Sequence, residues 1–464
     1  MGCLGREGGV RVKEPLEGNM AGASKPGTVS TKQQRIAELA KQAPQMGFTS
    51  LAYHIDRPWI AAAYEHTRSG GAVGVDGLTS ADFNKDLAGN LQGLADRAQS
   101  GMYQAPPVRR AYIPKGTGQE TRPIGIPTYA DKVLQRAVVM VLEPIYEQDF
   151  RDCSYGFRPG RSAHQALEAL WKQTMAMGGG WIVEVDIRKF FDMLDRAHLR
   201  EFLQRRVRDG VLLRLIGKWL NAGVLEEGTL TMPETGTPQG GVISPLLANI
   251  YLHYVLDVWF EEEVKPRLRG RTFLIRYADD FVMGFACEED ARRVLEVLPK
   301  RFGKFGLTLH PEKTRLVPFQ KPSAQDRKGA SQPGTFDLLG FTHYWDLSRR
   351  GFWVVKRKTA RSRFSRALKK IADWCRRNLH EPVAEQSRKL GQKLRGHYAY
   401  YGITGNALAL QRFRWLVTKI WHKWLGRRKR AGYLAWPAFN ALLQRFPLPQ
   451  ATVVHSVYRS AAKP

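Results

Sequence analysis

The stretch Arg276-Tyr277-Ala278-Asp279-Asp280-Phe281-Val282-Met283 organises the chain. Thr272, Phe273, Leu274 and Ile275 precede it, and Gly284 and Phe285 follow. Two β-rich apolar runs around an acidic pair predict a hairpin with the carboxylates at its tip. Carboxylates held this close repel each other, a cost that makes sense if a divalent cation sits between them. A solvated turn is the competing reading, because Asp is a common turn residue. A third carboxylate weighs against it. Gly178-Gly179-Gly180 interrupts the chain, the apolar run after it reads as a strand, and Asp186 stands near that strand's end. Carboxylates on neighbouring strand ends can hold two Mg2+ ions about 3.5–4 Å apart, the geometry of two-metal phosphoryl transfer. Mg2+ takes few carboxylate oxygens and shares the rest of its shell with water and substrate phosphates.

Composition points to the partner. Lys and Arg total 72 against 43 for Asp and Glu, a net charge of +29 over 464 residues. Such a charge predicts a polyanion, with nucleic acid the default. A membrane surface is the other option, but no 18-residue apolar run appears. The start lacks a secretory apolar region, and Arg6 occupies the Ser/Thr position of a myristoylation signal. A cytoplasmic location is expected. Hydrophobic residues make up 43%, so the chain is globular, with room for two or three domains. Cys3, Cys153, Cys287 and Cys375 have no paired spacing, which argues against a disulfide framework and a zinc module.

Along the chain, residues 1–45 read as an N-terminal extension, flexible at first and weakly helical from Thr31; Met1 and Met20 are both open as the start. Residues 48–83 read as helix, Gly turn, helix. A basic hairpin follows: residues 108–115, a turn at Gly116-Thr117-Gly118, and residues 121–127, carrying Lys115 and Arg122. Ser154-Tyr155-Gly156-Phe157-Arg158-Pro159-Gly160-Arg161-Ser162 is Gly-punctuated, basic and aromatic, suited to backbone contact and base stacking on a single nucleic-acid strand. In Gly236-Thr237-Pro238-Gln239-Gly240-Gly241, a Gly-rich loop leads through Ser244-Pro245 into a helix. Gly240 and Gly241 would let backbone approach a partner closely, and Gln239 could hydrogen-bond to it. From Arg349 onward, basic helices carry interleaved Tyr and Trp. In the third of these, Arg412, Lys419 and Lys423 lie away from an apolar face of Phe413, Val417 and Trp421.

These motifs, in this order over residues 48–458, resemble the reverse transcriptase–maturases encoded by bacterial group II introns. Asp186 matches the family motif that begins its catalytic triad, and Tyr277-Ala278-Asp279-Asp280 matches the Tyr-x-Asp-Asp box. Residues 154–162, the 236–253 block and Arg395-Gly396-His397-Tyr398 match the intron-encoded branch. The resemblance implies an α+β right-hand polymerase. Fingers and palm would span 46–345, a helical thumb that doubles as maturase domain X 346–430, and a short basic tail 431–464. It implies RNA-directed DNA synthesis, with Asp186, Asp279, Asp280 and the adjoining Ile187 at two Mg2+ ions. Lys313 would protonate the departing pyrophosphate. Lys115, Arg122, Ile187, Phe191 and Gln239 would form the nucleotide pocket, with Phe191 blocking a 2′-hydroxyl. Arg158, Arg161, Gly240, Arg395, Tyr398, Arg412, Lys419 and Lys423 would contact RNA or primer. The implied partners are the group II intron RNA, a DNA primer and deoxynucleoside triphosphates, with a homodimer left open. Many intron-encoded relatives end in a zinc-stabilised HNH endonuclease, and nothing of that kind is visible here. Two other readings stand beside this one. The first is a splicing cofactor with an idle polymerase, opposed by intact Asp186, Asp279, Asp280, Lys115 and Arg122. The second is a relative recruited to phage defence or a CRISPR system.

Overall fold

The structure is a computed structural model and describes residues 28–114, 121–226, 228–232, 240–323, 334–428 and 432–456. Met1, Cys3, Met20, Lys115 and Gln239 lie outside the described residues. The helix Val29–Gln42 begins at Thr28, whose hydroxyl accepts from the Thr31 N–H. It packs on the helix Tyr129–Asp149, and Gln33 donates to the Met140 carbonyl at 3.0 Å. Carbonyls at a helix end need donors, and buried Arg206 supplies them. Its guanidinium donates to the Ala40 and Ala43 carbonyls at 3.0 and 2.9 Å and pairs with Asp149 at 2.9 Å. The helix expected from Thr31 is therefore present from Val29, and it is docked on the fingers rather than flexible.

Tyr129–Asp149 is the spine of the fingers. Val133, Leu134, Ala137, Val138, Val141, Leu142 and Ile145 are fully buried along it, the repeat of a helix set into a core. Strands β1 (Val108–Pro114) and β2 (Thr121–Ile126) form the expected antiparallel hairpin. Strand β3 (Trp181–Val185) follows the glycine run, where Gly178 ends the helix Ala163–Met177 in the left-handed conformation. Two short strands that the sequence pattern did not indicate, β4 (Val224–Glu226) and β5 (Thr229–Thr231), extend the fingers sheet to the order β2-β1-β4-β5.

The palm is an antiparallel sheet of β6 (Thr272–Tyr277), β7 (Asp280–Phe285), β3 and β8 (Arg315–Pro318), in the order β6-β7-β3-β8. Its side chains alternate between two cores. Val183, Val185, Leu274, Phe281 and Met283 enter the larger one, with the buried faces of the helices Ser244–Leu252 and Glu288–Lys304. Ile182, Phe273, Ile275, Val282 and Val317 enter the other, with the helix Ala163–Met177 and a second sheet. That sheet contains β9 (Phe336–Leu338), β10 (Phe341–Leu347) and β11 (Trp353–Thr359) in the order β11-β10-β9.

Three long helices, Arg361–Arg377, Val383–Tyr401 and Ala407–Gly426, make the thumb around Leu390, Leu394, Phe413, Val417 and Trp421. Two expected boundaries move. The division at 345/346 falls inside β10, so the thumb begins at Arg361. The expected tail contains a fourth helix, Trp436–Arg445, whose Phe439 is fully buried in the thumb core together with Leu448. The architecture is the α+β right hand, with the acidic hairpin at its centre. No helix among the described residues is long and apolar enough to cross a membrane.

Candidate functional site

The β6–β7 hairpin turns through two residues, Ala278 and Asp279, with Tyr277 paired to Asp280. On the other side of β7, β3 pairs Val185 with Phe281. One further step in that register sets Asp186 opposite Asp280, so all three carboxylates meet at one end of the sheet. Asp186 is held from a third direction. Its carbonyl accepts from the His310 N–H at 2.8 Å, and the Arg188 N–H donates to the Thr308 carbonyl at 2.8 Å. Ile187, between them, bridges Leu309 and is buried. Its side chain belongs to the core, so only its main chain is available to a nucleotide or ion.

Charge is crowded at this edge. Burial raises the Asp279 carboxyl above its ordinary value and Asp186 adds to the rise, against its main-chain hydrogen bond, Arg122 and Arg276. Asp280 is pushed up to about 6 by burial, then by Asp279 and Asp186, while Arg363 and Arg122 oppose the shift. Lys313 donates from Nζ to Asp186 Oδ2 at 2.8 Å. A cavity of about 400 Å3 opens beside Asp186 and Asp280, with Lys313, Arg315, Asp337, Gly340 and Arg363 on its walls.

The backbone here is strained. Among the described residues, the non-glycine residues with positive φ are Phe157, Lys189, Ala278 and Leu339, at 55°, 45°, 56° and 52°. They lie in the 154–162 loop, the run after Asp186, the acidic turn and the turn before β10, in that order. Such conformations cost of order 1–3 kcal/mol each and collect at active sites.

The 154–162 segment lies against the hairpin. The Arg276 N–H donates to the Cys153 carbonyl at 2.8 Å, and the Tyr155 N–H donates to the Arg276 carbonyl at 2.9 Å. Gly156 is in closest contact, since a Cβ there would lie 2.4 Å from the Ala278 nitrogen. Arg158 departs from the expected nucleic-acid contact. It is buried, paired with Glu147 at 3.0 Å, and donates to the Arg151 and Ser154 carbonyls at 2.8 Å. Its fork is spent holding the segment in place. Arg161 is half-exposed, on Asp152 at 2.6 Å.

The other candidates divide by place. Arg122 is exposed on β2, and its charge reaches Asp279 and Asp280. Gly240, at φ 114°, sits so near β2 that a Cβ would meet the Gly125 carbonyl oxygen at 2.6 Å. Phe190 is core, whereas Phe191 is half-buried beside it, their rings 5.3 Å apart. In the thumb, Arg395, Arg412, Lys419 and Lys423 are exposed. Lys419 Nζ lies 3.7 Å from the centre of the Trp415 ring, which is itself exposed. Tyr398 is the second correction: it is 2% exposed and packs in the thumb core, where no RNA reaches it. Sequence reasoning missed Asn249, Asp257 and Arg276, which lie buried together behind the hairpin.

Among the described residues, no three His, Cys, Asp or Glu side chains converge tightly enough to hold an ion unaided. The donor chemistry nevertheless fits a hard divalent cation. Asp186, Asp279 and Asp280 offer carboxylate oxygens, and their mutual repulsion is what a cation would relieve.

Residues 113–343 match the family described as reverse transcriptase (RNA-dependent DNA polymerase). Protein YkfC of Escherichia coli K12 is 36% identical over 330 residues, which is 62% of this chain and 84% of that protein. Group II intron-encoded protein LtrA of Lactococcus lactis subsp. cremoris is 35% identical over 283 residues, 58% of this chain and 46% of LtrA. An uncharacterized 91 kDa protein in the cob intron of Schizosaccharomyces pombe is 32% identical over 284 residues, 60% of this chain and 35% of that protein. The chain thus spans under half the length of these last two. With the hairpin, its partner strand and the right-hand fold in place, the chain belongs to the reverse transcriptase family, among homologues encoded by group II introns.

Proposed function

We propose that this protein copies RNA into DNA at the palm carboxylates and uses its thumb to hold the group II intron RNA that encodes it, assisting splicing and then retrohoming. One observation carries the reading. The sheet register brings Asp186 to the tip that bears Asp279 and Asp280, while exposed cations are displayed on the separate thumb. Asp186, Asp279 and Asp280 would hold Mg2+, as two ions, which when bound supplies charge stabilisation for in-line displacement by the primer 3′-hydroxyl. The Ile187 main chain adjoins them. Arg122, whose charge reaches Asp279 and Asp280, neutralises triphosphate charge, a role assigned to Lys115 as well. Lys313 stands beside Asp186 as the proton source for the departing pyrophosphate. Phe191 presents its half-buried ring as a steric filter against a 2′-hydroxyl, and contact with the nascent pair is assigned to Gln239 and Gly240. Arg412, Lys419 and Lys423 neutralise RNA phosphates, with Arg395 on the neighbouring helix.

The test separates the two activities. The double variant Asp279→Ala with Asp280→Ala should abolish extension of a DNA primer on an RNA template. Splicing of the cognate intron at limiting Mg2+ should stay near wild type, because splicing needs neither primer nor nucleotide. Loss of both activities in a folded double variant would refute the partition.

A further inference from the structure

Behind the acidic hairpin lies a charge pair that the proposed reaction does not use. Arg276 is the last residue but one of β6, and neither it nor Asp257 reaches solvent. Arg276 Nε donates to Asp257 Oδ1 at 2.7 Å, and the other arm of the fork meets Asp257 Oδ2. A buried pair is weak evidence for stability, because desolvation offsets much of the attraction. The third arm gives this pair a more specific task. Arg276 Nη1 donates to the Ala278 carbonyl at 3.0 Å and to Asn249 Oδ1 at 3.0 Å. Asn249 in turn donates to the Gly156 carbonyl at 2.7 Å, and Gly156 is the residue packed against the Ala278 nitrogen. Ala278 carries the left-handed φ of 56° that turns the chain between Tyr277 and Asp279. Its two peptide groups are thus gripped from both sides by buried groups of the 153–158 loop, the Ser244–Leu252 helix and the helical turns after it.

The geometry points to Arg276 as a positioning residue: clamped by Asp257, it fixes the Ala278 carbonyl and so sets the direction in which Asp279 and Asp280 present their oxygens to a divalent cation. This rests on the polymerase reading above for the identity of the chemistry, but not for the clamp itself. A lysine would keep the charge and lose the fork, since it cannot hold Asp257, Asn249 and Ala278 in one plane. Groups that orient metal ligands typically change metal affinity or turnover by roughly 10- to 100-fold when removed.

The experiment compares wild type, Arg276→Lys, the paired replacement Arg276→Met with Asp257→Leu, and Asp279→Asn as a reference. Mn2+ alone is titrated by electron paramagnetic resonance, thermal unfolding is recorded, and primer extension gives kcat and the KM for the nucleotide. The expected result is Mn2+ binding that needs Asp279 and weakens by roughly tenfold or more in both Arg276 variants. Turnover should drop by a similar factor with the nucleotide KM little changed, at temperatures where both variants are folded. The paired replacement leaves no lone buried charge, so it decides the matter if Arg276→Lys does not fold. Wild-type Mn2+ affinity and kcat in either folded variant would overturn the inference. So would Mn2+ binding indifferent to Asp279, activity losses that vanish below the melting transition, or failure of both variants to fold. Expected Mn2+ behaviour with no DNA synthesis by the wild type would leave the clamp standing and sink the polymerase reading instead.

Discussion

In the palm, Arg276 and Asp257 are withdrawn from water and tied to each other, whereas in the thumb Arg412, Lys419 and Lys423 stand in it. The acidic tip is held by a buried fork, a loop in backbone contact and a left-handed alanine. The thumb helices are held by an ordinary apolar stripe, and their cations can be altered without touching it. Buried polar networks fix geometry and tolerate little change, while exposed charges act through a screened field and can be exchanged. The contrast suits one region that aligns reacting atoms and another that grips a long polyanion.

The sharpest way to break this contrast is to remove one palm charge. Asp279→Asn should lower primer extension by roughly a thousandfold or more, since a metal ion's charge stabilisation is worth several kcal/mol. RNA affinity, measured by filter binding, should not change. Wild-type extension by this variant would undo the site assignment.

The same small change made in both regions sharpens the comparison. Gly156→Ala would put a methyl group 2.4 Å from the Ala278 nitrogen. Overpacking of this kind costs about 1–3 kcal/mol, and extension should fall with it. Gly396 lies within the thumb helix Val383–Tyr401, with nothing within 4 Å of its would-be Cβ. There Gly→Ala should stabilise by about 0.5–1 kcal/mol through helix propensity. Thermal melts of the two variants should move in opposite directions, and a shared direction would contradict the account of the tip.

Thumb charge should show itself in salt dependence. Each phosphate contact contributes about 0.7 to the slope of log affinity against log salt on single-stranded nucleic acid. Neutralising Arg412, Lys419 and Lys423 together should flatten that slope by up to about 2, with turnover on saturating pre-annealed primer–template retained. An unchanged slope would place the intron elsewhere.

Much of the palm could be read in the sequence because its signals are local. The apolar runs on either side of Asp279 and Asp280 and the strand before Asp186 each lie within a few residues of the carboxylate they position. What escaped is long-range. Arg206 reaches back 166 residues to the Ala40 carbonyl. Arg158 and Tyr398 were misread because a basic, aromatic stretch looks the same whether its side chains face RNA or the core. Glu147 and the thumb core decide that, and neither is adjacent in sequence. Strands β4 and β5 have three residues each, β4 registered on β1 and β5 on β4, so no alternation could announce them. The helix Trp436–Arg445 went unread because its one fully buried residue, Phe439, finds its partners in other helices.

A further small effect concerns the sheet that joins the two regions. His343 on β10 is fully buried, its ring stacked on Phe336 with centroids 4.8 Å apart and neither nitrogen hydrogen-bonded. Burial, with the nearby Arg357 cation, pushes its pKa down to about 3 from an ordinary 6.5. The folded protein therefore keeps the ring neutral while the unfolded chain takes up a proton once the pH drops below about 6.5. A group whose folded pKa is lowered contributes stability at high pH that is lost as pH falls from the unfolded value toward the folded one. Between pH 7 and pH 5.5 the loss from this one side chain is about 1 kcal/mol. His343→Phe keeps a flat ring against Phe336 and removes the titration. Whatever its stability at pH 7, the variant should lose about 1 kcal/mol less than wild type on going to pH 5.5, as read from urea denaturation at both values. Equal losses would mean that the ring is already protonated in the fold, or that water reaches it and supplies the partner that β10 and β11 do not.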